Sequence, residues 1–261
     1  MCLIAFSYRE HSDYRLILAA NRDEFYARPA AGLGAWGDAP DIIAGRDEVG
    51  GGTWLGITRQ GRFAAVTNYR DPRAVREHAP SRGRLVTDYL RGREAPGLYM
   101  ENLGERAGQY SGFSLLAGDE RELYYFCNID NAVRNLGPGT YGVSNHLLDT
   151  PWPKVWRAKR ALNKLVRADT ITSALLLDLL TDTAPADTQE LPDTGVGPRL
   201  ERQLSPIFIN GETYGTRAST ALTITCAGSV SITERAHPGG EIRSLQWRLS
   251  GDRLHSGESS C

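Results

Sequence analysis

MCLIAFSYREHSDYRLILAANRDEF, residues 1–25, holds two apolar runs on either side of a short polar loop. Residues 2–8 (CLIAFSY) and 14–21 (YRLILAAN) read as strands, and REHSD between them suits an antiparallel hairpin. Cys2 directly follows the initiator methionine. If Met1 is removed, that residue carries a thiol and a free α-amine together, a self-contained nucleophile and base. Its plainer reading is a small apolar residue opening a strand.

Working outward, TWLGIT and RFAAVTNY form a second expected hairpin around RQG, and the glycines of AGRDEVGGGTW predict a tight, irregular connection before it. That glycine run precedes a strand rather than opening a helix and lacks the P-loop lysine, so it is not read as a nucleotide cradle. SRGRLVTDYLRG has helical spacing at Leu85, Val86, Tyr89 and Leu90, with Ser81 as the expected N-cap. GFSLLAG, ELYYFCN and TYGVSN read as strands. PWPKVWRAKRALNKLVRA follows as an amphipathic helix with Val155, Trp156, Ala158, Leu162 and Leu165 on its apolar face. ADTITSALLLDLLTD predicts a capped helix, APADTQELPDTGVGPRLERQLSP a long surface loop, and PIFING, GTRASTALTIT, VSITERAH and EIRSLQWRL four closing strands. Strands, then helices, then strands again, with mostly hairpin links, predict an α+β fold with two mainly antiparallel sheets and helices outside. Residues 1–250 read as a single domain and 251–261 as a disordered tail.

The 261 residues suit one large core. Lys+Arg 30 against Asp+Glu 31 gives a formal net charge of -1, which argues against a general nucleic-acid binder. No apolar run approaches the length of a bilayer span, so a cytoplasmic protein without stable membrane insertion is expected. The four cysteines show no zinc spacing, and none of the residues suggests a metal site. Cys127 and Cys226 are expected as buried free thiols.

A nucleophilic N-terminal cysteine needs a carboxylate to orient its amine and donors to meet an oxyanion. Asp23, closing the second strand, is brought beside the chain start by the hairpin, although a solvated turn would also use it. Asn68 in AVTNYRDP and Asn145 in GVSNHLL end strands, where each amide can serve an oxyanion or merely cap a turn. Arg217 precedes an apolar strand as a cation that would favour thiolate, or as a solvated arginine.

Together MC, NRDE, GGTWLGI, TNYR, SNHLLDTPWPKV and YGTRAST resemble the NRDE family, also called the transport and Golgi organisation 2 family, from Met1 to about Trp247. That resemblance implies an Ntn-hydrolase-like four-layer αββα sandwich, related to cysteine acylases that cleave bile salts and penicillin V. Their pattern maps catalytic roles onto Cys2, Asp23, Asn68, Asn145 and Arg217; Asn21, Arg22 and His146, adjoining these residues in sequence, are the expected substrate-binding residues. One departure stands out: Ala20 occupies the place of an acylase arginine. Arg22, two residues on, would share its strand face and could replace it.

The resemblance implies an Ntn-type cysteine hydrolase of a C–N amide or thioester bond in a small acyl substrate, with no required cofactor. It equally implies an alternative, a non-catalytic carrier or chaperone holding haem or acyl-coenzyme A and lipid in the same pocket. A scaffold with neither activity is the third reading. Haem would be held non-covalently, with His146 nearest the site.

Overall fold

β1 (Cys2–Tyr8) is buried along its whole length, which is why CLIAF reads as an unbroken apolar run. Residues 2–249 are described, in a computed structural model; the expected tail at 251–261 lies outside them. β1 pairs antiparallel with β2 (Tyr14–Phe25), with Cys2 opposite Arg22 and Ile4 opposite Ala20. β3 (Ala30–Trp36), β4 (Ala39–Asp47), β5 (Leu55–Thr58) and β6 (Phe63–Asn68) follow. Then come α1 (Gly83–Arg91), α2 (Pro96–Arg106), β7 (Phe113–Gly118), β8 (Leu123–Cys127), β9 (Ala132–Asn135) and β10 (Gly139–Val143). α3 (Pro153–Arg167), α4 (Ser173–Asp178), α5 (Pro198–Gln203), β11 (Tyr214–Thr225), β12 (Ser229–Ala236) and β13 (Ile242–Arg248) complete the order.

The strands form a six-stranded sheet, β10-β1-β2-β11-β12-β13, and a seven-stranded sheet, β3 to β9 in sequence order. Every pairing is antiparallel. Alternation along each strand builds the layers. Ile4, Phe6, Leu18 and Leu222 of one sheet meet Ile43, Ile57, Leu116 and Tyr125 of the other in the central core. Leu3, Ala5, Ile17 and Ala19 face the opposite way, onto α3 and α4. Ala64, Val66, Leu115 and Phe126 turn outward beneath α1 and α2. The result is the expected α+β four-layer αββα sandwich.

Some local expectations fail for identifiable reasons. Ser81 does not cap α1; Arg82 occupies the N-cap and makes no capping hydrogen bond. Trp156 is 56% exposed, because the buried face of α3 runs through Val155, Ala158, Leu162 and Val166. The expected surface loop before residue 208 is tied inward by Ala186, Glu201 and Leu204, all buried, and contains α5. PIFING contributes only an isolated bridge from Asn210 to Gly215. Cys127 is a buried free thiol, whereas Cys226 is half-buried just beyond β11 and disulfide-bonded.

The glycine-rich segment has a packing role. A Cβ on Gly50 would lie 2.8 Å from Ser81 Oγ, and one on Gly52 only 2.6 Å from the Gly83 backbone. The β4–β5 connection thus sits directly on the start of α1, and the two together form one wall of a cavity. Replacing Gly52 with alanine forces backbone against backbone and is expected to cost about 1–3 kcal/mol. Gly34→Ala, with nothing within 4 Å of the added carbon, should stay within about 0.5 kcal/mol of the parent. Urea unfolding of both variants measures the contrast.

Candidate functional site

A cavity of about 950 Å³ opens where the ends of β1, β2, β11 and β12 meet the β4–β5 connection and the start of α1. Cys2 lies in its wall, 7% exposed, with Arg22, Asp23, Asn68 and Arg217 also lining it. Five sequence-derived candidates therefore converge on one space.

The β1–β2 register explains the first pair. Cys2 and Arg22 are cross-strand partners on the face that Ile4 and Ala20 continue into the central core. Ala20 is fully buried there, while Arg22, two residues nearer the strand end, reaches the cavity. Its nearest carboxylate is Glu24 at 3.9 Å, so its charge is only loosely matched. Asp23 is 1% exposed, and its Oδ1 accepts a 2.8 Å hydrogen bond from Thr216 Oγ1. A β-bulge between Thr216 and Ala218 re-aims Arg217, whose Nη1 donates to the carbonyls of Phe25, Tyr26 and Arg28. Arg217 thereby holds the chain after β2 against the cavity rim.

The other candidates stand behind the wall. Asn145 is fully buried outside the cavity, donating through Nδ2 to the Asn68 carbonyl at 3.1 Å and accepting from Arg70 at Oδ1. It positions Asn68, whose own side-chain amide makes no hydrogen bond among the described residues. Ser144 Oγ donates to the Cys2 carbonyl at 2.9 Å, fixing the first strand beside the same turn. Asn21 is consumed by structure: Nδ2 donates to the Leu180 and Ile207 carbonyls, and Oδ1 accepts from Ser219. His146 is also remote from the cavity. Its two ring nitrogens meet Tyr69 Oη at 2.7 Å and Thr150 Oγ1 at 2.9 Å.

Sequence reading missed four charged residues. Arg82, at the start of α1, lines the cavity and forms no ion pair among the described residues; its one hydrogen bond reaches the Gly112 carbonyl. Burial pushes its pKa down, and a Cys2 thiolate would oppose that shift first. Lys154, Arg70 and Glu201 are buried behind Asp23. Arg70 pairs with Glu201, which also accepts from Thr194, and stacks 4.7 Å from the Trp152 ring centroid. Lys154 Nζ donates to the Leu204 carbonyl. A lysine on an amphipathic basic helix gives no sequence sign of burial, and Glu201 sits in text that reads as loop.

Electrostatics follow from this burial. Desolvation raises the Asp23 pKa, opposed by Lys154, Thr216 and Arg70. It also raises that of the Cys2 thiol, with Arg22 among the groups pulling it back. The resting sulfur is thus a thiol that needs a base, flanked by two cations able to meet developing negative charge. Among the described residues no cluster of histidine, cysteine and carboxylate could hold a metal ion.

Residues 1–238 match the model of the family described as Transport and Golgi organisation 2. The chain belongs to that family. It is 36% identical to the Transport and Golgi organization protein 2 homolog of Bos taurus over 98% of this chain and 100% of the relative. The Homo sapiens homolog gives the same identity and coverage. Among solved structures, the chain resembles the C2A mutant of a conjugated bile acid hydrolase from Clostridium perfringens. The TM-score is 0.50 at 8% identity, covering 98% of this chain and 100% of that one. This member of the Transport and Golgi organisation 2 family therefore has the Ntn-hydrolase fold.

Lys154 supplies a test of the buried charge set. Burial lowers its pKa to about 8, from 10.5, with Arg70 adding to the shift and Asp23 opposing it. Between those two pH values the unfolded chain binds the extra proton, so stability from this residue rises with pH. The wild type should gain up to about 3 kcal/mol relative to Lys154→Met from pH 8 to 10.5. Urea titrations across that range check it.

Proposed function

We propose that this cavity is the active site of an N-terminal-cysteine hydrolase that cleaves an amide or thioester bond of a small acyl substrate. The observation that carries the reading is the meeting of Cys2, Asp23, Asn68, Arg22 and Arg217 around one cavity, in a chain whose fold is that of a bile acid hydrolase.

Removal of Met1 frees the α-amine of Cys2. As Sγ attacks the substrate carbonyl carbon, that amine takes the thiol proton, and Asp23 holds the resulting ammonium. The new C–S bond places negative charge on the carbonyl oxygen, where the Asn68 amide donates and Arg22 and Arg82 supply positive field. Collapse breaks the C–N or C–S bond of the substrate, and the ammonium protonates the departing amine or thiol. Water then attacks the enzyme thioester, releasing the carboxylic acid and returning its second proton to Cys2. Asn145, Arg70 and Lys154 touch no reacting atom; they hold Asn68 and support the charge on Asp23.

The carrier alternative uses the same cavity. Its wall carries seven arginines and five carboxylates, with Val49, Trp54 and Val66 among few larger apolar groups. That lining suits a polar acyl substrate better than an extended lipid. For haem, His146 does not fit as an axial ligand, since both ring nitrogens are engaged away from the cavity.

Intact mass after exposure to a cysteine-reactive acyl electrophile tests the proposal. The expected result is a single adduct on Cys2, absent in Cys2→Ala, with buried Cys127 unmodified. On a panel of acyl amides and thioesters, Asp23→Asn and Asn68→Ala should each slow turnover by about 10²–10³-fold. No adduct and no turnover, with haem or acyl-coenzyme A binding that survives Cys2→Ala, would instead support the carrier.

A further inference from the structure

α3 (Pro153–Arg167) carries six basic residues and no acidic one, in a chain whose formal net charge is -1. Three of the six are accounted for: Lys154 is buried, Arg157 pairs with Asp182 at 2.9 Å, and Lys159 pairs with Asp149 at 2.6 Å. Arg160, Lys164 and Arg167 are exposed and form no ion pair among the described residues. At about 100° per residue they share an arc of about 80° with Trp156. Trp156 is 56% exposed, and the Arg160 guanidinium carbon lies 5.1 Å from its ring centroid. A shallow groove of about 490 Å³ runs along this face.

Helix-dipole complementation accounts for Lys164 and Arg167 in the last turn. It does not account for Arg160 in mid-helix or for an indole turned to water. The neighbouring acids leave the stripe uncovered: Asp149 is taken by Lys159, Asp169 meets His11, and Glu10 bonds to Thr140 at the helix edge. The opposite face is locked onto β1 and β10 through Val155, Ala158, Leu162 and Val166, so α3 presents these groups as a fixed surface.

We propose that this face docks the protein on an anionic phospholipid surface. Three unpaired cations match phosphate headgroups in charge, and an indole, apolar in body with a polar N–H, suits the boundary between headgroups and acyl chains. An acidic polypeptide would satisfy the cations and leave the exposed ring without a partner. The binding is peripheral and reversible, since one indole and three cations fall far short of an inserted anchor. It is independent of whether Cys2 turns over substrate.

Co-sedimentation with vesicles of phosphatidylcholine alone, or mixed with phosphatidylglycerol, tests the proposal. Binding is expected only to the mixed vesicles, weakening steeply with added salt. The triple variant Arg160→Gln/Lys164→Gln/Arg167→Gln should bind about a hundredfold more weakly. Contact should shift tryptophan emission to the blue in wild type and not in Trp156→Phe. Equal binding to both vesicle types, no binding to the mixed vesicles, or unchanged binding by the triple variant would overturn it. So would displacement from the mixed vesicles by polyglutamate with no emission shift, which would favour an acidic protein partner.

Discussion

The register of the β1–β2 hairpin, which sets Cys2 directly opposite Arg22, is the constraint on which the rest of the site depends. Side chains alternate along a strand, so this pairing assigns Cys2, Ala20 and Arg22 to one face and Asn21 and Asp23 to the other. A slip of one residue would exchange the faces, placing Asp23 toward the central core and Arg22 among the aliphatic residues beneath α3. Ile4, Phe6 and Leu18 are packed into the central core and Leu3, Ala5 and Ile17 beneath α3 and α4. A slip would exchange two close-packed sets of different shape and carry Asn21 and Asp23 off their buried hydrogen-bond partners. The hydrophobic pattern of two strands thus fixes the relation between a thiol, a guanidinium and a carboxylate at their open ends.

Charge is then concentrated where the sandwich is least able to hydrate it. Asp23, Lys154, Arg70 and Glu201 are all almost fully buried, and each would be costly alone. Together they offset one another, and further hydrogen bonds engage their remaining polar edges: Thr216 donates to Asp23, Thr194 donates to Glu201, and Arg70 donates to Asn145 Oδ1. Buried ion pairs add little net stability compared with apolar packing of the same shape. Their effect here is electrostatic: they lower the cost of a carboxylate held beside the chain start, which is what a terminal amine acting as base requires.

Much of this was legible in the sequence. The strand hairpins, the two amphipathic helices and the α+β class all followed from apolar period and turn residues. Cys2, Asp23, Asn68 and Arg217 could be singled out as strand-end residues around one chain terminus. The partners that act across distance were not visible. Arg82 reaches the cavity only because Gly50 and Gly52 allow the β4–β5 connection to sit on α1, a contact with no local signature. Glu201 lies in Pro- and Gly-rich text, yet it is drawn inward by Arg70, a residue more than a hundred positions away. Trp156 failed in the opposite sense, since helical spacing places it near the apolar stripe while the sheet beneath selects Val155 and Ala158 instead. Asn21 and His146 carry residue types suited to binding, but tertiary hydrogen bonds had already engaged them.

The central claim is that Cys2 acts through its own α-amine, and the N-terminus of the mature chain tests it most directly. Intact mass and N-terminal peptide sequencing of protein isolated from its native cells should find Met1 removed and Cys2 as the first residue, with a free amine. A mature chain that retains Met1, or whose Cys2 amine is blocked, would contradict the account.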